Sequence, residues 1–193
     1  MMRRSEVTRD RILQATYQLF YRHGFARISM DVVAAHARVT KRTLYNHFES
    51  KDALLGEVLR HQSALAIERI RGWATRQDGS AADLIDGIFA QLSAWSSKKR
   101  WEGAGFTRLA MELADLPGHP ARAVARRHKA AIEQVLATEL RRRGLKRADA
   151  AARTIVLLTE GATNLTLIHG DRAYISAAAE AAQILLNKRH ARP

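Results

Sequence analysis

The sequence predicts an all-α protein of nine helices, with a small three-helix module at its amino end and a larger helical domain after it. Three observations predict it. Apolar residues recur at three- and four-residue spacing through nearly every segment, and no run alternates apolar with polar residues as a strand does. Capping Ser or Thr, Gly and Pro stand where the periodic segments stop.

Ile12, Ala15, Thr16, Leu19 and Phe20 form one stripe of a first helix that starts near Ser5–Thr8 and stops at Gly24 in "RHGF". Ser29 caps a short second helix, "MDVVAAHA", with Val33 and Ala37 on one side and Asp31 in the dipole-favoured first turn. After a tight connection, "RV", Thr40 caps a third helix. Ser50 caps a longer fourth, "KDALLGEVLRHQSALAIERIRGWA". "DGS" (Asp78–Ser80) breaks the chain before "AADLIDGIFAQLSAWSS", and the polar loop "KKRWEGAG" precedes "FTRLAMELADL". "PGHP" (Pro117–Pro120) is the strongest break, because each Pro disfavours helix for itself and its predecessor. A helix of about 23 residues runs from there to Gly144, and two more, "ADAAARTIVLLTEGATNLTLIHG" and "RAYISAAAEAAQILLNKR", meet around Gly170–Asp171.

Composition narrows the classes. The 193 residues include no Cys, so disulfides, thiolate zinc sites and thiol nucleophiles are excluded, which fits a cytoplasmic protein. The charged start "MMRRSEVTRD" leads into no signal-type apolar run, and the longest apolar stretch, interrupted by Glu160 and Asn164, is too short to span a bilayer. The net charge is +13, and residues 1–60 carry eleven basic against six acidic side chains. Such an excess favours a polyanion through counterion release, although solubility or an acidic membrane surface would also use it.

The stretch "VTKRTLYNHFESK" (Val39–Lys51) resolves the choice. Too short and polar to hold itself in place, it has Leu44 and Phe48 on one side. Arg42 and Asn46 then point away from the core, flanked by Thr43 and Tyr45. Such a helix fits the ~12 Å major groove of B-DNA, and the preceding short helix and turn complete a helix-turn-helix. Arg42 suits guanine O6 and N7, Thr43 a thymine methyl or a base edge, and Asn46 adenine. Tyr45 and His47 donate to phosphates, Lys41 and Lys51 clamp the backbone, and Thr40 aims first-turn amides at phosphate. Taken singly, Tyr45 could equally cover the core edge and His47 could be a surface histidine.

Taken together, "ILQATYQLF", "HGF", Ser29, "VVAAHA" and "VTKRTLYNHFESKDALL" resemble the tetracycline-repressor (TetR/AcrR) family of transcriptional regulators over residues 6–60. Val39, Thr40, Thr43, Leu44, Tyr45, His47, Phe48, Ser50 and Lys51 carry the motif. The resemblance implies a homodimer, usually a repressor, that reads a partly palindromic operator and is released by a small molecule. It implies phosphate contacts from Thr40, Tyr45, His47 and Lys51, with Lys41, Arg42 and Thr43 nearest the bases. Ser29 and Arg38 complete the expected DNA-facing set. Arg38 departs from the family, which usually has Gly there. If that position is left-handed, Arg costs roughly 1–2 kcal/mol, which a phosphate contact could offset.

The expected domains are 5–52, the DNA-binding module with the start of the linking helix, and 53–190, for ligand binding and dimerisation. Phe89, Leu92, Trp95, Phe106, Met111 and His128 are pocket candidates, each equally a core residue by its spacing. Ile155, Leu158, Ala162 and Leu165, with Ala178, Ala181 and Leu185, are candidates for a dimer interface built from the last two helices, because those helices are apolar or small on two faces. A ligand tilting the fourth helix would change the ~34 Å spacing of the two reading helices. "KKR" (98–100), "ARRHK" (125–129) and "RRR" (141–143) are solvated faces, anion attractors or extra DNA contacts. No cofactor or metal is expected.

Three rivals remain. An enzyme is opposed by the absence of an HxxxH pair, a Gly-rich phosphate loop or a nucleophile elbow. A membrane-surface role lacks the amphipathic helix with a long basic face. A sequence-indifferent DNA-compacting protein would use the charge, but phosphate binding alone has no need of the variety in Arg42, Thr43 and Asn46.

Overall fold

The computed structural model describes residues 4–116 and 118–190. Among them are nine helices and no strand: α1 (Arg4–His23), α2 (Met30–His36), α3 (Lys41–His47), α4 (Lys51–Thr75), α5 (Ala81–Ser96), α6 (Gly105–Glu112), α7 (Pro120–Arg142), α8 (Ala148–His169) and α9 (Ala173–His190). The order is as the sequence predicts. Within the break at "PGHP", Pro117 lies outside the described residues. Pro120 opens α7, where a missing N–H is harmless, and His119 Nδ1 accepts the Ala121 N–H at 3.1 Å.

Local chemistry sets the ends. Ser29 Oγ accepts from Val32 N and Thr40 Oγ1 from Thr43 N. Ser50 Oγ accepts from Ala53 N at 3.0 Å. Ser80 and Asp83 form a reciprocal capping box at the start of α5, and the hydrogen bonds from Ser80 hold the Asp83 carboxyl below its ordinary range.

The chain forms two compact units, and they do not divide at residue 52. The first comprises the chain up to Ala66 together with Gly105–His128, and the second Ile67–Ala104 with the chain from Lys129 onward. α6 and the first part of α7 therefore belong with the amino-terminal module. Ile12, Phe20, Val33, Leu44, Phe48, Leu54, Leu55, Val58 and Leu59 form its core, closed by Phe106, Leu109 and Leu113 and by Val124. α2 and α3 are only seven residues long each, so much of this core comes from α1, α4 and α6.

In the second unit α5, α8 and α9 pack around Leu84, Ile85, Phe89, Ile155, Ile175 and Leu186, joined by Leu136 and Leu140 of α7. Of "RRR", Arg141 and Arg142 stay on a solvated face, and Arg143 alone is structural. Arg141 pairs with Asp149 at 2.8 Å and Arg142 with Glu139 at 3.0 Å. Arg143, whose side chain is buried, pairs with Glu139 at 2.6 Å and donates to the carbonyls of Ala74 and Gln77 at the end of α4. A cation suits a helix C-terminus, whose last carbonyls have no partner within the helix.

Candidate nucleic-acid interface

α3 is held from behind. Leu44 is fully buried and Phe48, its C-cap, nearly so, with Val39 packed against the same core. Arg9 lies over the Phe48 ring at 5.3 Å and is itself paired with Glu57. At the front end Thr40 Oγ1 accepts from Thr43 N at 3.1 Å and shares a hydrogen bond with Thr43 Oγ1 at 2.8 Å. Seven residues at 1.5 Å each give a cylinder about 10 Å long, matched to a major groove.

Its other side faces outward. Lys41, Arg42, Tyr45 and Asn46 are exposed, and Thr43 and His47 half-buried. Ser29, Arg38 and Thr40 are exposed in the caps and turn beside them. Ten DNA-facing candidates thus fall on one module, and none is sequestered in the core.

The turn from α2 to α3 keeps the left-handed conformation without glycine: Arg38 has φ of 54°. Arg38 N donates to Ala35 O at 3.1 Å and Val39 N to Ala34 O at 3.0 Å, the pair of bonds that closes a helix through a left-handed residue. The turn therefore has the shape expected of glycine, and Arg38 carries its strain.

Two cations are tied into the protein. Lys41 Nζ bonds Asp31 Oδ1 at 2.8 Å, and that hydrogen bond raises the Lys41 pKa above its ordinary value. Lys51 Nζ donates to Ala26 O at 3.3 Å and stands 4.2 Å from the centre of the Phe25 ring. Partial burial lowers its pKa, opposed by the nearby charges of Asp52 and Glu112. Each ammonium has three N–H donors, so both retain donors for a phosphate. Neither tie was visible in the sequence, because ten residues separate Asp31 from Lys41, and Ala26 lies a loop and two helices from Lys51.

The six pocket candidates fall on both units, three on each. Phe106, Met111 and His128 belong to the first unit and Phe89, Leu92 and Trp95 to the second. Phe106 is buried and stacked on His128 at 3.9 Å, and His128 Nδ1 bonds Ser63 Oγ at 2.9 Å. Phe89 is core, Leu92 packs on that core, and Met111 is 69% exposed. Trp95 packs edge-to-face on Trp101 at 5.4 Å. Among the described residues no group of three or more His, Asp or Glu is placed to hold a metal, and no helix is long and apolar enough to cross a membrane.

The dimer candidates also need correction. Ile155, Ala162 and Ala178 are buried in the chain's own core, so they are not available to a second copy. Leu158, Ala181 and Leu185 are half-buried, and Leu165 is exposed. The apolar residues that α8 turns outward are Leu157, Leu165, Leu167 and Ile168, with Ile184 outward on α9. Sequence periodicity marks two apolar faces without saying which one the chain covers itself.

A short capped helix propped by a core and polar on its free side, behind a tight turn and a preceding helix, defines a helix-turn-helix protein. The family model described as bacterial regulatory proteins, tetR family, matches residues 12–58. The HTH-type transcriptional regulator UidR of Escherichia coli is 34% identical over 71 residues, 37% of this chain and 36% of that protein. The HTH-type transcriptional repressor SCO4008 of Streptomyces coelicolor is 36% identical over 78 residues, 37% of this chain and 41% of that protein. The match thus spans well under half the length of these curated relatives. A solved structure from Streptomyces avermitilis, assigned to the TetR transcriptional regulators, is 28% identical with a TM-score of 0.75, covering 91% of this chain and 98% of that one. Residues 12–58 thus carry the matched tetR-type module, and the chain as a whole is similar in fold to a TetR-type regulator.

Proposed function

We propose that the protein is a ligand-responsive transcriptional repressor that binds a partly palindromic DNA operator as a homodimer. The observation that carries this reading is the outward face of α3. Arg42, Tyr45 and Asn46 are presented on a helix whose other side is fixed by Leu44 and Phe48, and whose cap, Thr40, is in place. Base edges are read by such side chains, while Thr40, Tyr45, His47 and Lys51 act on phosphates and set the register. Repression, rather than activation, follows the similarity to a relative described as a repressor.

The homodimer is supported by a stripe on α8. Leu157, Gly161, Leu165 and Ile168 follow one another at helical spacing and all are exposed. A second copy burying that stripe pairs two reading helices, and a two-fold protein meets a two-fold operator. The effector reading rests on Leu92 and the Trp95–Trp101 pair in the second unit, an apolar aromatic group of the kind that lines small-molecule sites.

The test is selection of bound fragments from sheared genomic DNA by the purified protein. Recovery of a shared, partly palindromic sequence is the expected result. Uniform recovery that excess unlabelled random duplex competes away would instead establish the compacting protein.

A further inference from the structure

We propose that Glu112, far from α3 in sequence, is a positioning residue for operator recognition; the inference rests on the reading of α3 as the DNA-reading helix. From the end of α6, Glu112 Oε2 accepts the N–H of Phe25 at 3.0 Å and Oε1 that of Ala26 at 2.7 Å. One carboxylate thus holds two consecutive amides of the α1–α2 loop by charge-assisted bonds. Gly24 before them has φ of 80°, and a Cβ there would stand 3.3 Å from both carboxylate oxygens. The bare glycine both makes the turn and leaves the carboxylate its place.

The same two residues are held from their other side. Lys51, at the start of α4, donates to the Ala26 carbonyl and lies over the Phe25 ring. Phe25 meets Phe20 of α1 edge-to-face at 5.3 Å. α6 is pinned in turn: Arg108 Nη1 donates to the Tyr21 carbonyl at 3.1 Å, and a Cβ on Gly105 would come within 2.7 Å of the Tyr21 ring. All these residues lie in the first unit.

The loop sets the direction in which α2 leaves α1, and α3 is carried by α2 through the Arg38 turn. Base reading requires several side chains in register at once, whereas non-specific binding requires only cations near phosphates. Glu112 is therefore needed for the first and not for the second. Its charge predicts the reverse. Removing one carboxylate from a DNA-binding module should, by charge alone, tighten binding to every duplex.

Binding of the full-length wild type, Glu112→Ala and Glu112→Gln is measured to a fragment selected by the wild type and to random duplex, across a salt series. Thermal melting and amide exchange at Phe25 and Ala26 are followed alongside. The expected result for Glu112→Ala is a loss of about tenfold or more on the selected fragment. Binding to random duplex stays equal or tightens, the salt slope is unchanged, and the two amides exchange faster. Glu112→Gln, which keeps the length and one acceptor, falls between, and it decides the matter if Glu112→Ala does not fold. Retention of the wild-type ratio of selected to random affinity in a folded variant overturns the inference. So does an equal loss on both DNAs. A wild type that selects no preferred fragment overturns the DNA-reading assignment beneath it.

Discussion

The carboxylate of Asp31, in the first turn of α2, and the ammonium of Lys41, the first residue of α3, are joined at 2.8 Å across the exposed side of the helix-turn-helix. On the DNA-binding face proposed above, Asp31 thereby places a negative charge beside Lys41, and it occupies one of the three donors of Lys41. Asp31→Asn should strengthen binding to random duplex and steepen the salt dependence, since Lys41 is then free to displace a counterion. Both groups are well exposed, so the melting temperature should barely change. An unchanged salt slope would show that Lys41 meets no phosphate even when released.

Arg38 invites the opposite kind of experiment. Its φ of 54° is cheap for glycine and costs other residues roughly 1–2 kcal/mol. Part of that gain is offset in Arg38→Gly by the freer unfolded chain, about 0.5–1 kcal/mol. The variant should therefore unfold at slightly higher denaturant while binding the operator more weakly, with a shallower salt slope. Equal affinity throughout a salt titration would remove the phosphate role and leave Arg38 as unrelieved strain.

Glu57 predicts an acid dependence. Burial pushes its carboxyl up, but hydrogen bonds from Arg60 and Arg9 outweigh this and hold it below the ordinary value of 4.5. A depressed carboxylate stabilises the fold above that value, and the contribution disappears as pH falls through the folded pKa. Glu57→Gln should lose about 1 kcal/mol or less at neutral pH, kept small because Glu57 and Arg9 are roughly a third exposed and Arg60 about half. It should also flatten the acid limb of a stability curve. A parallel curve with an undiminished limb would mean that other carboxylates account for it. Because Arg9 also covers Phe48, operator affinity should fall slightly as well.

What could be read in advance follows from the range of the interactions. Thr40 with Thr43, and Leu44 with Phe48, act within one or two helical turns, so "VTKRTLYNHFESK" displayed both its cap and its buried side. The left-handed turn at Arg38 stayed open, because an Arg where the resembling family usually has Gly does not state its own backbone conformation. Glu112 was not legible, because its partners Phe25 and Ala26 lie 87 and 86 residues earlier. Phe106, Leu109 and Leu113 announced an apolar face at helical spacing, but not that this face closes the first core. Ile155 and Leu157 show the limit most simply. Two residues apart on α8, one is in the core and the other 71% exposed, and only the packing of α5 and α9 decides which.

The exposed stripe on α8 gives the dimer its own test. A charge at Leu157 or Ile168, both more than 70% exposed, does not disturb the chain's own core. Leu157→Asp with Ile168→Glu should leave melting of the isolated chain little changed while shifting sedimentation from dimer to monomer. Operator affinity should then fall by orders of magnitude, since two half-sites are no longer held together. A double variant that still sediments as a dimer would move the interface away from this face.

The division of labour on α3 is tested by two side chains of unlike chemistry. Arg42 is exposed and, as a bidentate donor, suits a guanine edge; Arg42→Ala should cost ~1–3 kcal/mol at one base pair and relax the preference there, leaving the other positions as before. Tyr45, 44% exposed, contributes a hydroxyl on a rigid ring, and Tyr45→Phe should weaken all sequences alike. The two variants are compared by selection from a randomised operator library, which reports position-specific preference separately from overall affinity. If Arg42→Ala lowers every sequence equally, its guanidinium sits on the backbone. The reading then falls to Thr43 and Asn46, whose shorter side chains would require α3 to lie deeper in the groove.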